Sequence, residues 1–374
     1  MTGVLKESRA LSGARKRVLT NLRVYYGLLV ATIVEGYHEG VLLMTTTLYA
    51  LTLKGRERPM AQFRVVAYEP STAEQRWHAA IRTHNPITCR PWHLGGALGS
   101  LVDAERQELE RPAPSHVLFA HNEDHHSQFR VAIEPLVNSL RHPHLQLPGN
   151  RTIATLMDPS HIRVPTALDM HHLVKHRGGA TRWFFDLGAG LYNGGAPGVT
   201  NGGSLAWFSR RYAESDRDFD RVFAWEAEPH LPKQVWDTMP DWLVPRLSYF
   251  NTPVTADPSA AHHPWRVMAA AGVAQKDYVV VKLDIDTPEV ELALVRQLLA
   301  DEQLLVDELY WEHHVSGSVA CCPELWGGGA PPKGKGRAWA LMKFNTSDPH
   351  QTLLGSYNLF AALRRRGVLA HSWV

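Results

Sequence analysis

The sequence predicts an α/β protein in which a doubly wound, mostly parallel sheet follows an N-terminal extension of unclear fold. Three observations carry this prediction. Short apolar stretches alternate with amphipathic helical stretches from residue 182 onward, the stretch at 278–284 is apolar at almost every position, and glycines follow the first predicted strand. A strand that is apolar throughout is typical of a parallel sheet whose two faces are both covered by helices.

The composition is that of a globular protein and excludes several classes of function. The 374 residues are 44% hydrophobic and 20% charged, which is unlike a disordered chain and is enough to build two domains. The formal net charge of +2 gives no electrostatic reason to expect a nucleic-acid partner. Three cysteines are too few for a disulfide scaffold, and the adjacent Cys321 and Cys322 are not spaced as a zinc-binding pair.

Residues 1–55 contain two apolar stretches, at 24–34 and 41–53, behind a basic segment at 15–17. Neither stretch reaches the roughly 18–20 apolar residues that a membrane-spanning helix needs. The pattern is compatible both with a packed helical hairpin and with a weak signal anchor. These interpretations leave a cytoplasmic and an endomembrane location open, and residues 24–53 are the part that would associate with a membrane.

Residues 56–177 form a histidine- and proline-rich region to which the sequence assigns no role. The cluster of histidines and acids at 121–126 looks like a metal site at first sight, but neighbouring positions of a helix or strand point in different directions. We therefore predict a solvated polar loop there, and another at His171 and His172. A pair of glycines then separates this region from the alternating segment at 178–374.

Within this last segment, strands are predicted at 183–186, 221–226, 247–251, 278–284 and 304–312, and helices at 204–215, 231–239, 263–271, 288–300 and 357–366. Ser204 fits the N-cap of the first of these helices. The helix at 288–300 has Thr287 at its N-cap, a proline in its first position and Glu289 near the positive end of its dipole. Gly367 ends the last helix ahead of a short terminal strand.

The first two of these strands end in residues typical of a site for a nucleotide-type cofactor. The first strand runs into Asp186 and then reaches Gly188 and Gly190. Glycines allow a tight turn close to a ligand, and a strand-end carboxylate accepts hydrogen bonds from amino or hydroxyl groups. The second strand ends at Glu226, the position that binds ribose hydroxyls in such folds, with Glu228 as a second candidate. A glycine turn without a ligand, followed by an ordinary acid, is the alternative.

Two later strands also end in polar side chains. Asp284 and Asp286 can orient a substrate hydroxyl, take its proton or bind a cation, although Asp286 could instead cap the next helix. Glu312 and His313 end the following strand on opposite faces, and a solvent-exposed strand end is the alternative there. A right-handed crossover makes the two strands parallel, so we expect all four side chains to converge. An acid beside His313 would raise its basicity and suit it as a proton acceptor.

Four segments, taken in order, resemble the FkbM-like branch of class I S-adenosylmethionine-dependent methyltransferases: FFDLGAG, VFAWEAEP, VVVKLDIDTPEVELALVRQLL and VDELYWEHH. The resemblance spans residues 182–315 and implies a seven-stranded type of Rossmann domain with S-adenosylmethionine as cofactor. It also implies that Asp186, Gly188 and Gly190 lie under the methionine and adenosine parts, and that Glu226 binds the ribose. The chain departs from the family in its Asp-Thr pair, where acid-Gly is usual, and in a glycine- and asparagine-rich insertion.

The leading functional interpretation is methyl transfer to a hydroxyl of a small molecule or glycan, with no residue assigned to a metal. The two later motifs would face the acceptor, and Tyr192 or Trp225 would face the sulfonium. The first alternative is a glycosyltransferase in which Asp284 and Asp286 hold Mn²⁺ against a sugar nucleotide. The second is a non-catalytic domain that keeps the fold. The sequence does not indicate an oligomeric state.

Overall fold

The computed structural model describes residues 63–83, 113–121, 128–136, 159, 162–174, 180–194, 203–213, 218–301, 304–314 and 348–373. All of them belong to one compact unit, Met60–Val374. The predictions for residues 1–55, for most of the polar loop at 121–126 and for most of the glycine-rich insertion lie outside these residues. Among the residues that are described, no helix is long and apolar enough to cross a membrane.

The first described elements form a three-stranded antiparallel sheet that the sequence pattern did not predict. Its strands are β1 (Phe63–Glu69), β2 (Ser115–His121) and β3 (Gln128–Ile133), in the order β1-β2-β3. Two helices, α1 (Thr72–Thr83) and α2 (Ala167–Val174), belong to the same region. Much of β1 and β3 is only half buried, so their hydrophobic periodicity is weak and gives little signal in the sequence.

The prediction of a polar loop at His171 and His172 is wrong, because both residues lie on α2. Met170 and Leu173 of the same helix are buried, and this pair of apolar side chains holds the helix in place. The ring of His172 stacks on Phe129 of β3, with 5.0 Å between the ring centroids. Here tertiary packing decides the conformation of a segment whose local composition looks like that of a loop.

The C-terminal half forms a six-stranded sheet in which all neighbouring strands are parallel. Its strands are β4 (Arg182–Leu187), β5 (Arg221–Trp225), β6 (Leu247–Phe250), β7 (Tyr278–Leu283), β8 (Glu308–Trp311) and β9 (Leu369–Ser372). All six residues of β7 are buried, as the continuous apolar pattern predicted. The prediction of an α/β fold with a parallel sheet is thus confirmed, while a seventh strand is not among the residues described here.

The order of the strands, β6-β5-β4-β7-β8-β9, fixes where a ligand site can form. The chain moves outward from β4 to β6 on one side and then returns to β7, which pairs with β4 along its whole length. The direction of winding therefore reverses between β4 and β7. In open α/β sheets the crevice outside the carboxyl ends of the strands at such a switch point is where ligands bind.

The described residues of this half include five α-helices: α3 (Ser204–Ala213), α4 (Pro232–Trp236), α5 (Pro264–Ala270), α6 (Pro288–Ala300) and α7 (Leu353–Arg365). Prolines in the first position begin three of them, which suits the missing N–H of proline. Thr287 is the N-cap residue of α6, as predicted, although its hydroxyl makes no capping bond and donates to the carbonyl of Ile285. The prediction for Ser204 needs correction, because Ser204 is the first residue of α3 and its hydroxyl turns toward β4.

A buried polar cluster joins the antiparallel sheet to the parallel sheet. Arg364 of α7 donates to the carbonyl of Ala370 and lies 3.2 Å from a carboxylate oxygen of Glu134. His371 of β9 contacts that same carboxylate at 3.0 Å. On the other side of His371, Glu308 of β8 lies 3.5 Å away. Charged groups that are buried this deeply are retained only when each has a partner, so this cluster constrains how the two sheets pack.

Candidate functional site at the carboxyl edge of the parallel sheet

The glycine turn after β4 lies against the end of β7. Gly188 and Gly190 both have positive φ, of 92° and 60°. A Cβ at Gly188 would overlap the backbone carbonyl of Asp284, whereas the space at Gly190 is open as far as the carboxylate of Glu226. Gly188 is therefore needed for contact between two strand ends, and Gly190 is the glycine that leaves room beside the acid.

Glu226 is joined directly to the glycine turn, as the cofactor interpretation expects. Its carboxylate accepts the N–H of Gly190 at 2.7 Å and the N–H of Glu228 at 2.6 Å. The long interval between the two motifs does not separate them, because β4 and β5 are neighbours in the sheet. A carboxylate has about four acceptor positions, so Glu226 keeps capacity for ribose hydroxyls. Glu228 is exposed and contributes its backbone to this contact.

Asp186 is buried and takes part in an internal contact rather than facing solvent. It accepts the hydroxyl of Ser204 at 2.6 Å, and its other oxygen lies 3.5 Å from the ammonium of Lys282. Burial raises the pKa of the Asp186 carboxyl, against the pull of Lys282 and Ser204. In this position Asp186 stabilises the turn through contacts on the protein side. A cofactor at this edge would contact the backbone of the turn.

Lys282, in the middle of the edge, is a central residue that the motif analysis did not assign. Its ammonium donates to the carbonyl of Gly188 at 2.6 Å and lies 3.0 Å from a carboxylate oxygen of Asp284. Burial alone would lower the pKa of Lys282, but Asp284 and Asp186 raise it, so the lysine stays charged. The signal that could have revealed it is a lysine inside an otherwise apolar strand, since such a charge is buried only with partners.

Asp284 and Glu312 meet where β7 and β8 end. The strand register places Leu283 opposite Trp311, so these acids are the next residues on both strands. Burial raises the pKa of Glu312 well above its usual range, and the adjacent Asp284 adds to the shift. Lys282 holds the pKa of Asp284 below its usual value despite burial. The indole N–H of Trp373 donates to Asp284 at 3.1 Å.

A second contact of Glu312 brings in His314, which the sequence analysis did not select. The Nε2 atom of His314 lies 3.8 Å from a carboxylate oxygen of Glu312 and 3.4 Å from one of Asp286. Asp286 has a positive φ of 54° and an exposed side chain, whereas Glu312 and His314 are buried. Asp286 thus faces the histidine of the neighbouring strand end.

His313 is placed differently from the prediction. Its Nδ1 atom shares a hydrogen bond of 2.9 Å with the hydroxyl of Ser356 on α7, and its ring stacks on Trp311 at 3.9 Å. Burial lowers the pKa of His313 well below its usual value, and His314 and His350 lower it further. Among the residues that the structure describes, no acid raises its basicity, so that part of the expectation is wrong. Strand alternation explains the result, because it puts positions 312 and 314 on the face opposite to 313.

The two aromatic candidates for a sulfonium contact separate in the structure. Trp225 is buried in the core, where its ring stacks on Phe250 at 4.6 Å and its N–H donates to the carbonyl of His262. Tyr192 is half buried just beyond the glycine turn. Tyr249, which the sequence analysis did not consider, donates from its hydroxyl to the carbonyl of Gly190 at 3.2 Å. Tyr249 therefore contacts the turn through its hydroxyl, and Tyr192 follows the turn in the chain.

Comparison of the chain with protein-family models, curated proteins and solved structures found no match. The assignment of function therefore depends on the geometry of this edge.

Proposed function

We propose that the protein is an S-adenosylmethionine-dependent methyltransferase that acts on a hydroxyl of a small molecule or glycan. The observation that carries this proposal is the hydrogen bond between the Gly190 amide and the Glu226 carboxylate at the switch point of a parallel sheet. It joins a glycine turn to an acid at the end of the next strand, the pairing with which such sheets bind a nucleoside.

The residues present fit this cofactor. Glu226 is partly exposed and has acceptor capacity for two ribose hydroxyls, and the turn at 188–190 offers backbone without side chains. Tyr192 and Tyr249 supply aromatic rings near a sulfonium. When bound, S-adenosylmethionine supplies an electrophilic methyl group. The carboxyl edge of β4, β5 and β6 is therefore assigned to the cofactor in this proposal.

In this proposal the methyl acceptor, the molecule that receives the methyl group, is assigned to the edge of β7 and β8. Gly188 contacts the backbone of Asp284, so the polar group of Asp286, Glu312 and His314 begins next to the cofactor turn. The hydroxyl oxygen of the substrate forms a bond to the methyl carbon as the carbon–sulfur bond breaks. The proton of that hydroxyl passes to a basic group at this edge. Alignment supplies most of the acceleration, and removal of the proton contributes about 10²–10⁴-fold.

The glycosyltransferase alternative is not favoured by the geometry. In that interpretation Asp284 and Asp286 hold one Mn²⁺ ion together. Asp284 is instead directed to Lys282 and Trp373, and Asp286 is directed to His314. The two aspartates therefore face different partners, and no observation supports a nucleotide-sugar site over a nucleoside site.

A thermal-shift panel on the full chain tests the proposal. We expect S-adenosylmethionine and S-adenosylhomocysteine to raise the melting temperature, because a ligand that binds only the folded state stabilises it. UDP-sugars with Mn²⁺ and NAD are the comparison ligands. A shift with a UDP-sugar alone would support the glycosyltransferase, and the absence of any shift would support a domain without this activity.

A further inference from the structure

Three side chains of metal-ligand type converge at the end of β7 and β8. One carboxylate oxygen of Asp286, one of Glu312 and the Nε2 atom of His314 all lie within 4.8 Å of one another. The histidine nitrogen is 3.4 Å from Asp286 and 3.8 Å from Glu312. Two ligands of one ion with bonds of about 2.1 Å are about 3.0–3.4 Å apart, so these atoms are close to coordination spacing.

The surroundings of this group contain further acidic side chains. Asp284 follows β7 next to Glu312, and Glu291 of α6 is buried behind the turn, where it accepts the N–H of Ile285 at 3.0 Å. The ammonium of Lys282 lies 3.0 Å from Asp284 and 3.5 Å from Asp186, so it forms ion pairs with both acids. A cation placed among Asp286, Glu312 and His314 would compensate the charge that the two carboxylates carry when they act as ligands.

The group is built on rigid parts of the fold. Glu312 follows β8 directly and donates its N–H to the carbonyl of Leu283 on β7, so the two strand ends are tied together. Glu312 and His314 are buried, while the side chain of Asp286 is 60% exposed. A site with three protein ligands and one open side keeps positions for water or substrate, as catalytic metal sites do.

The ligand chemistry favours one class of ion. Carboxylate oxygens alone suit Mg²⁺ and Ca²⁺, whereas an imidazole nitrogen beside them suits first-row transition metals and zinc. The sequence analysis assigned no metal, because it selected His313 and considered the aspartates as a pair. In the structure, the side chains that come together are one acid from each strand end, Asp286 and Glu312, and the histidine at position 314.

We infer that Asp286, Glu312 and His314 bind one divalent transition-metal ion whose open positions take an oxygen of the acceptor. The role toward the acceptor rests on the proposed function, whereas the metal site itself does not. A metal ion at this point would hold the acceptor hydroxyl at the edge and make its proton easier to lose.

The test measures metal binding to the full chain without any cofactor. Protein treated with a chelator and dialysed is titrated with Mn²⁺, and the free ion is followed by its paramagnetic resonance signal, with Zn²⁺ as competitor. We expect one Mn²⁺ per chain that Zn²⁺ displaces. The variants Asp286→Asn, Glu312→Gln and His314→Ala are expected to bind Mn²⁺ about 10-fold more weakly or worse.

Matched controls are Asp241→Asn and His171→Ala, which change exposed residues of the same types outside the edge and should leave Mn²⁺ affinity unchanged. Circular dichroism verifies folding, and the exposed Asp286→Asn variant keeps the test valid if a buried variant fails to fold. Absence of stoichiometric Mn²⁺ or Zn²⁺, or equal affinity in Asp286→Asn and the wild type, would overturn the inference. Metal binding without S-adenosylmethionine binding would keep this inference and overturn the methyltransferase proposal, and the reverse result would do the opposite.

Discussion

At the scale of single residues, the edge depends on Lys282 as much as on the acids. Its buried ammonium contacts Asp186, Asp284 and the carbonyl of Gly188 and so links the ends of β4 and β7. The sequence motifs identified the two aspartates but not what lies between them. A periodicity argument reports which face a residue lies on, and it contains no information about which charges from distant strands become partners.

This arrangement predicts that Asp186→Asn mainly affects folding. Removal of the Asp186 carboxylate leaves the buried Lys282 with Asp284 and the Gly188 carbonyl as partners, so we expect the free energy of unfolding to fall by about 1–3 kcal/mol. Denaturant unfolding measures the change. Asp286→Asn is the matched control in metal-free protein, because this aspartate is exposed and its loss should cost less than about 0.5 kcal/mol. Equal losses in the two variants would contradict the role given to Lys282.

The histidines at 313 and 314 show how far sequence reasoning reached within the site. Alternation along β8 correctly separates Glu312 from His313, and the same alternation applied one residue further puts His314 beside Glu312. The choice of His313 as the histidine with an acidic neighbour was therefore avoidable. The approach of Asp286 from the neighbouring strand end was not predictable in detail, because it depends on the turn with positive φ that follows β7.

At the scale of elements, the parallel strands were located from sequence to within a few residues because their residues are buried on both faces. The antiparallel sheet of β1, β2 and β3 was not. β1 and β3 are partly exposed, and β1 pairs with β2 across a long interval of chain, so local pattern carries little of the information that forms this sheet. The amphipathic helix α1, with Trp77 and Ile81 buried one turn apart, is the signal in that region that could have been found.

The contact between the ends of β4 and β7 gives a prediction about the glycine turn. Both Gly188→Ala and Gly190→Ala place a side chain at positive φ, which costs about 1–2 kcal/mol in each case. Gly188→Ala also overlaps the carbonyl of Asp284, so we expect about 1–3 kcal/mol of additional loss. Chemical denaturation of the two variants in parallel measures the difference. Equal stability of the two variants would show that the glycine turn does not contact the end of β7 as described.

At the scale of the whole molecule, the buried cluster around His371 makes stability depend on pH. Burial alone would lower the pKa of His371, but Glu134 raises it to about 9. In turn, His371 and Arg364 lower the pKa of Glu134 to about 2. The stability that the charged histidine contributes is complete below its ordinary value of 6.5 and is lost as pH rises through 9.

We therefore expect the free energy of unfolding to decrease between pH 6.5 and 9 by a few kcal/mol from this residue. The variant His371→Gln lacks the titrating group and should show a smaller decrease over the same range. Urea unfolding of both proteins at the two pH values measures the two slopes. Parallel slopes would mean that His371 does not carry the charge that joins β9 to Glu134.

The function of the whole molecule depends on whether the edge at β4 and β5 binds the cofactor. Calorimetric titration of S-adenosylmethionine into the full chain, its Glu226→Ala variant and its Glu228→Ala variant tests this most directly. We predict that Glu226→Ala weakens binding by about 1–3 kcal/mol, or roughly 5–150-fold, because the ribose hydroxyls lose the carboxylate that this proposal assigns to them. Glu228→Ala should bind as the wild type does. Absence of binding to the wild type, or equal affinity in all three proteins, would contradict the assignment of this edge to S-adenosylmethionine.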